Sequence, residues 1–344
     1  MTGKEVEVDV GRRRGQQERG QQQQRVTLRG HRGSVLAACF AGRYALTAGA
    51  DKSVRLFNPT VDADTAREIA VFAGPHGYPL VDVAVSNDSS AMACCGDDKC
   101  GFVWDVEEQQ VVQRLYGHAG PLTTTRFAPT NNLVVTGAKD CTARIYDLRS
   151  RNPAGVMTLR GFRDSLTAVH VLEAEILAAS VDGTLRTFDV RRGLVTTDHL
   201  GKIATMDVSS SSTSLASLDA SVDGSCVLIG CVDPGMICLM ERSSGRVLQA
   251  FRGHVNASAR IPAKLYGPRK VDNNNKNKYA CVGSERGELW MWDVETGRKV
   301  LQEHMHEGPL SALACSSSGS HGLVLTAGYD GNVFVHCDIL ARKM

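Results

Sequence analysis

Alternation of apolar and polar residues over short stretches, broken every few positions by Gly, Asn, Asp or Ser, runs along most of the chain and predicts strands joined by tight turns. Between Gly117 and Ser150 the alternation marks an inner strand over Leu122 to Phe127, a second over Leu133 to Thr136 and a third over Thr142 to Tyr146, and an outer one follows near Val156 to Leu159. The same unit recurs seven times, each copy carrying an acidic residue six positions before a bulky one. These pairs are Asp51 to Phe57, Asp98 to Trp104, Asp140 to Tyr146, Asp182 to Phe188, Asp233 to Leu239, the degenerate Arg286 to Trp292, and Asp330 to His336. Self-similarity at a period between 42 and 53 residues means one supersecondary unit packed against its own copies.

Four strands per repeat, seven repeats and the Asp-to-aromatic spacing define WD repeats, so the expected fold is all-β, a seven-bladed WD-repeat β-propeller over residues 26–344. After His336 and Cys337 the stretch DILARKM is too short for a turn and a full outer strand. Val26, Thr27 and Leu28 stand directly before Gly30-His31, where an outer strand precedes each later repeat. The ring is therefore expected to be closed by this N-terminal strand, which removes two open sheet edges. Residues 1–25, rich in Gln, Arg and Gly, hold too few apolar side chains to offset ordering entropy and should form a disordered tail.

A Gly-His pair opens several repeats: Gly30-His31, Gly117-His118 and Gly253-His254, with His76 and His306 in register. An imidazole that donates to the repeat Asp and accepts from a Ser or Thr four residues before that Asp would satisfy three polar groups otherwise costly to bury. Thr47, Thr136 and Thr326 occupy this third place, and Trp104, Tyr146 and Trp292 supply an aromatic N–H or O–H as a fourth member. His, Asp and Thr are also the vocabulary of nucleophilic catalysis. A trio repeated at one spacing around a ring is structural, because an active site is singular.

Composition changes this picture little. Hydrophobic residues at 42% and 34 glycines suit short strands and turns, and a net charge of +2 gives no global field for nucleic acid or membrane. The chain shows no signal peptide or spanning segment, so a cytoplasmic and nuclear location is expected. The 11 cysteines are then read as free thiols, with Cys94, Cys231, Cys281 and Cys315 buried in strands. His304 and His306, with Cys315 or His336, lack the surrounding ligands of a metal site. No phosphate-binding glycine motif and no metalloprotease motif occurs. Neither cofactor nor metal is expected, nor an enzyme.

What remains is surface. The channel entrance near the Gly-His turns should carry Arg32, Lys52, Tyr78, Lys99, Lys139, Arg163 and Tyr329, of which Tyr78, Arg163 and Tyr329 are the residue types favoured at interface hot spots. Two insertions are expected at the joints between first and second strands, SSSSTSLASLDASVDGS in the fifth repeat and the stretch around YGPRKVDNNNKNKY in the sixth. The second is locally basic through Arg260, Lys264, Arg269, Lys270, Lys276 and Lys278, and with the tail it could take an acidic peptide or, weakly, RNA.

The runs GPHGYPLVDVAVSNDSS, YGHAGPLTTTRF, IYDLRSRNPAGVMTL and EILAASVDGTLRTFDVRRG resemble the mitogen-activated protein kinase organizer 1 family of WD-repeat proteins over roughly residues 26–300. The resemblance implies a non-catalytic scaffold, a monomer within larger complexes, binding components of a MAP-kinase cascade and associating with the active spliceosome in pre-mRNA splicing. The Gln-rich tail, the two insertions and Arg286 depart from that pattern. Asp147-Leu148-Arg149 and Asp189-Val190-Arg191 instead resemble the ending by which some WD-repeat proteins dock, as substrate receptors, to a cullin-type ubiquitin ligase.

Overall fold

A computed structural model describes residues 25–59, 67–150, 153–199, 213–232, 235–267, 278–316, 322–337 and 339–340. Strands in these segments form seven four-stranded antiparallel sheets arranged as the blades of a propeller, and the described residues include no helix. In blade three the strands are Leu122–Phe127, Leu133–Ala138, Ala143–Asp147 and Met157–Leu159. The fold expected from the repeats is thus the fold adopted.

Burial explains the residue types in each layer. Second strands such as Ala91–Gly96, AMACCG, are covered on both faces by neighbouring blades, so nearly every position is buried and small side chains allow close approach. Outer strands such as Arg67–Ala73 and Gln110–Leu115 alternate exposed and covered positions, because only one face packs inward. In six blades the innermost strand carries an irregular register close to its start, as between Leu80 and Asp82 or Leu122 and Thr124. Such bulges re-aim side chains.

The ring closes as the N-terminal sequence suggested. Arg25–Leu28 pairs antiparallel with Val333–Cys337 as the outer strand of blade seven, with Val26 opposite Val335 and Leu28 opposite Val333. Arg25, assigned above to the tail, already belongs to this strand and places its guanidinium 3.5 Å from the centre of the Phe334 ring.

The expected placement of the fifth insertion is corrected. Leu215–Ala220, part of that stretch, is the innermost strand of blade five, and residues 221–225 alone join it to Cys226–Cys231. The apolar positions LASL, hidden among serines, are buried against the neighbouring blades. The sixth insertion does join first to second strand, Ala263–Tyr266 to Tyr279–Gly283. Arg269, Lys270 and Lys276 lie outside the described residues, whereas Arg260 and Lys264 belong to the inner wall of blade six and not to a basic loop.

Candidate functional site

One end of the propeller carries the turns between second and third strands and the segments entering the innermost strands. Its frame is a set of buried struts. His31 Nδ1 lies 3.0 Å from Asp51 and its Nε2 lies 2.8 Å from Thr47 Oγ1. His118 pairs likewise with Asp140 at 2.9 Å and Thr136 at 2.8 Å, and His306 with Asp330 and Thr326, both at 3.1 Å. Each Asp also accepts the backbone N–H of the residue after the His: Arg32, Gly77, Ala119 and Glu307 in the four blades that carry the pair. Burial opposes ionisation of Asp140, but donors from Thr142, His118 and the Ala119 amide outweigh it and hold its carboxyl below the usual range. Burial also lowers the pKa of His76, His118 and His306 despite the neighbouring carboxylates, so each ring is neutral, donating from Nδ1 and accepting at Nε2.

Two strut members escape a reading limited to Ser and Thr. In blade two the third place is held by Cys94, whose sulfur lies 3.1 Å from His76 Nε2 while His76 Nδ1 reaches Asp98 at 2.7 Å. Burial pushes this thiol up to about 12, so the S–H is retained and donates to the ring. In blade seven the place of the aromatic is held by His336, whose Nε2 lies 3.5 Å from Thr326 Oγ1.

Other expectations at this end need correction. Tyr146 is not such a case: it reaches Thr136 as the fourth member should, and its hydroxyl also donates to the Tyr116 carbonyl at 3.0 Å. Trp104 faces the Cys94 sulfur, though without a hydrogen bond of good geometry at its Nε1, and its ring meets Phe72 edge-on. Asp182 has no imidazole beside it because Phe162 fills that place against Phe188, and it caps Arg163 N and Thr184 instead. His254, though buried, has neither nitrogen bonded among the described residues, and Trp292 meets it only through its ring. Arg286 cannot accept the loop amides there. The amide after His254, that of Val255, goes to Ser284 Oγ at 3.3 Å instead, and Glu285 holds the next part of the loop, accepting from Ala257, Ser258 and Ala259 at 3.1, 2.7 and 2.7 Å. Asp233 lies outside the described residues.

The turns of this face present the candidate binding residues. Lys52, Lys99 and Cys141 adopt φ of 63°, 59° and 62°, in the place where Gly183, Gly287 and Gly331 stand in other blades. This left-handed residue follows the repeat Asp and lets the turn reverse. Arg32, Lys52, Lys99, Lys139 and Arg163 are exposed, Lys139 standing 3.7 Å from Asp97, and Tyr78 and Tyr329 are 58% and 49% exposed. Of the seven, Tyr329 also borders a cavity of about 260 Å³ on the propeller axis, with wall residues from every blade. The wall also carries charges: Asp82 and Arg126, which the sequence did not single out, and Arg260 and Lys264, which it assigned to a basic loop.

Arg149 and Arg191 lie instead on turns after third strands. Arg149 is 69% exposed, and its guanidinium folds back on Asp147 through bonds of 3.0 and 2.7 Å. Asp189 caps the amides of Arg191 and Arg192, the latter also approaching it with its guanidinium at 3.8 Å. Among the described residues no group of three His, Cys, Asp or Glu side chains is placed to hold a metal.

Comparison with known proteins agrees with this architecture. The family model described as "WD domain, G-beta repeat" matches residues 22–58, 67–105, 109–147 and 297–336. The chain is similar to a Dictyostelium discoideum WD repeat domain-containing protein 83 homolog, 24% identical over 81% of this chain and 87% of the relative. It is also similar to the periodic tryptophan protein 2 homolog of Schizosaccharomyces pombe, 27% identical over 65% of this chain but only 27% of that longer protein. Against WD repeat domain-containing protein 83 of Rattus norvegicus the identity is 32% over 84% of both chains. An identity of that extent, on a seven-bladed frame of repeated His–Asp struts, makes the chain a member of the WD repeat domain-containing protein 83 family.

Proposed function

We propose that the protein is a non-catalytic scaffold of the cytoplasm and nucleus that holds several proteins together, components of a MAP-kinase cascade or of the pre-mRNA splicing machinery. The observation that carries this reading is the face bearing Tyr78 and Tyr329, two large aromatics 58% and 49% exposed among exposed Arg32 and Arg163. Exposed Tyr and Arg on turns held by buried struts form a rigid contact surface. The His–Asp–Thr trios are consumed as struts in blades one, three and seven. The resemblance of the central repeats to kinase-organizing WD-repeat scaffolds supports the choice of partners.

Affinity purification of the full chain from cytosolic and nuclear fractions, followed by mass spectrometry, tests the reading. Kinase-cascade or spliceosomal proteins are expected with the wild type and are expected to be lost from a Tyr78→Ala, Arg163→Ala double variant that stays folded. Recovery of neither class, or retention of both by the variant, would overturn it. Recovery of a cullin adaptor that is lost with Arg149→Ala and Arg191→Ala would move the assignment to a ubiquitin-ligase substrate receptor.

A further inference from the structure

The axial cavity holds more positive than negative charge. Its wall contains Arg126, Arg260 and Lys264, against Asp82 in the wall and Asp219 beside it. Arg126 pairs with Asp82 at 2.7 Å and Lys264 with Asp219 at 2.9 Å. Both carboxylates are further occupied. Asp82 accepts from Thr124 Oγ1 at 2.9 Å and from the Thr125 and Val83 amides at 3.0 Å each, and Asp219 accepts the Leu265 amide at 2.9 Å. The third cation has no such partner among the described residues. Arg260 reaches from blade six to blade three and donates to a neutral acceptor, the Thr123 carbonyl.

A guanidinium offers five donors in a fixed fork, and one backbone carbonyl leaves most of them unused. Burial and the nearby Arg126 both work against the charge on Arg260, and the groups that favour it are Asp82, already committed, and the Cys95 sulfur. The backbone that carries Arg260 is nonetheless anchored. The three amides just before it, Ala257 to Ala259, are pinned by the Glu285 carboxylate, and Pro262 follows two residues later. A cation set rigidly into a cavity with spare donors is preorganised for an anion, because little ordering cost remains when the anion arrives. The cavity of about 260 Å³ has room for one side chain or one small ion, and Tyr329 borders it on the exposed face.

We propose that the axial cavity is an oxyanion-binding site in which Arg260 is the principal partner, taking a single carboxylate or phosphate group that is either a free ion or the tip of an acidic side chain entering from the Tyr329 face.

The test is calorimetric titration and thermal denaturation of the full chain with inorganic phosphate, succinate and acetyl-Gly-Glu-Gly-amide, at ionic strength held constant with chloride. At least one probe is expected to bind saturably, with affinity reduced tenfold or more in Arg260→Gln and unchanged in Arg298→Gln, an exposed arginine on a remote turn. Binding of phosphate or succinate without the tripeptide would identify a free ion as the occupant, and binding of the tripeptide would identify an inserted side chain. Absence of saturable binding by all three probes, or equal binding by Arg260→Gln, overturns the proposal. Should Arg260→Gln not fold, Arg260→Lys, which keeps the charge but not the fork, is expected to bind at least threefold more weakly, and undiminished binding there overturns it equally.

Discussion

His254 and Trp292 meet edge-on, ring centres 5.9 Å apart and planes at 70°, and this contact replaces the hydrogen bonds that the equivalent imidazoles make in blades one, two, three and seven. Val282 and Arg286 stand where these four blades have a hydroxyl or thiol and a carboxylate. A buried imidazole without partners costs roughly 1–3 kcal/mol. Val282→Thr with Arg286→Asp should restore both bonds and stabilise the chain by about 1 kcal/mol after the loss of a packed methyl group. The urea midpoint measures it. A lowered midpoint would count against the equivalence of blade six with the rest.

Asp140 makes the opposite case. It accepts from His118, the Ala119 amide, and both the amide and hydroxyl of Thr142. Asp140→Ala should cost about 1–3 kcal/mol or more, since several donors lose their acceptor at once. Arg286→Ala should change stability by less than about 0.5 kcal/mol, as expected for a surface substitution with no strut to break. Similar denaturation midpoints for these two variants would show that the repeat Asp carries no special load.

The fold was legible because period and alternation survive substitution. One Asp in seven could be lost at Arg286 without hiding the unit, and the N-terminal strand was legible because Val26, Thr27 and Leu28 precede a Gly-His pair as outer strands do elsewhere. The internal chemistry was less legible. Ser284 takes the amide that a carboxylate takes in other blades, and Cys94 stands where a hydroxyl was expected, and only the folded structure shows which side chain reaches the waiting group. The wall of the axial cavity was invisible for a different reason: Asp82, Arg126 and Arg260 lie 44 and 134 residues apart along the chain and meet only because the ring closes. The fifth insertion was misplaced because its serines masked a buried strand.

Cys94 offers a test of the strut by atom exchange. Cys94→Thr places a hydroxyl near His76 Nε2, as Thr47, Thr136 and Thr326 do for their own imidazoles, and should leave stability within about 1 kcal/mol of the wild type. Cys94→Ala removes the donor and a buried sulfur, and should cost about 1–3 kcal/mol. Chemical denaturation under reducing conditions distinguishes them, and a Thr variant as unstable as the Ala variant would show that the thiol only fills space.

Stability should fall on mild acidification. Burial lowers His170 and His254 to about 4 and His336 to about 3 from the ordinary 6.5. A folded-state pKa below the unfolded one means that the unfolded chain binds more protons between these values, so stability is fully present above pH 6.5 and is lost as pH falls through the window towards 4. Each group contributes a slope of up to ~1.4 kcal/mol per pH unit. His254→Phe, which copies the Phe162 that fills the same place in blade four, should flatten the dependence of melting temperature on pH between 7 and 5. An unchanged slope would mean that His254 titrates normally in the folded chain.

The closure of the ring rests on few residues and can be removed without touching the rest. Val26 and Leu28 are 4% and 1% exposed, and Thr27 between them is buried as well. Loss of the two aliphatic side chains alone forfeits roughly 1.5–3 kcal/mol each, and the third strand of blade seven then presents a free edge to other chains. Deletion of residues 1–30 should therefore lower the melting temperature and promote association, whereas deletion of residues 1–22 should leave both unchanged. Because this strand is held by pairing with Val333–Cys337 rather than by a short hairpin within its own blade, it can be supplied from outside. A peptide spanning residues 22–32, added to the longer truncation, should raise its melting temperature in a concentration-dependent way. Sedimentation velocity and thermal denaturation read both effects, and equal behaviour of the two truncations would place the closing contacts elsewhere.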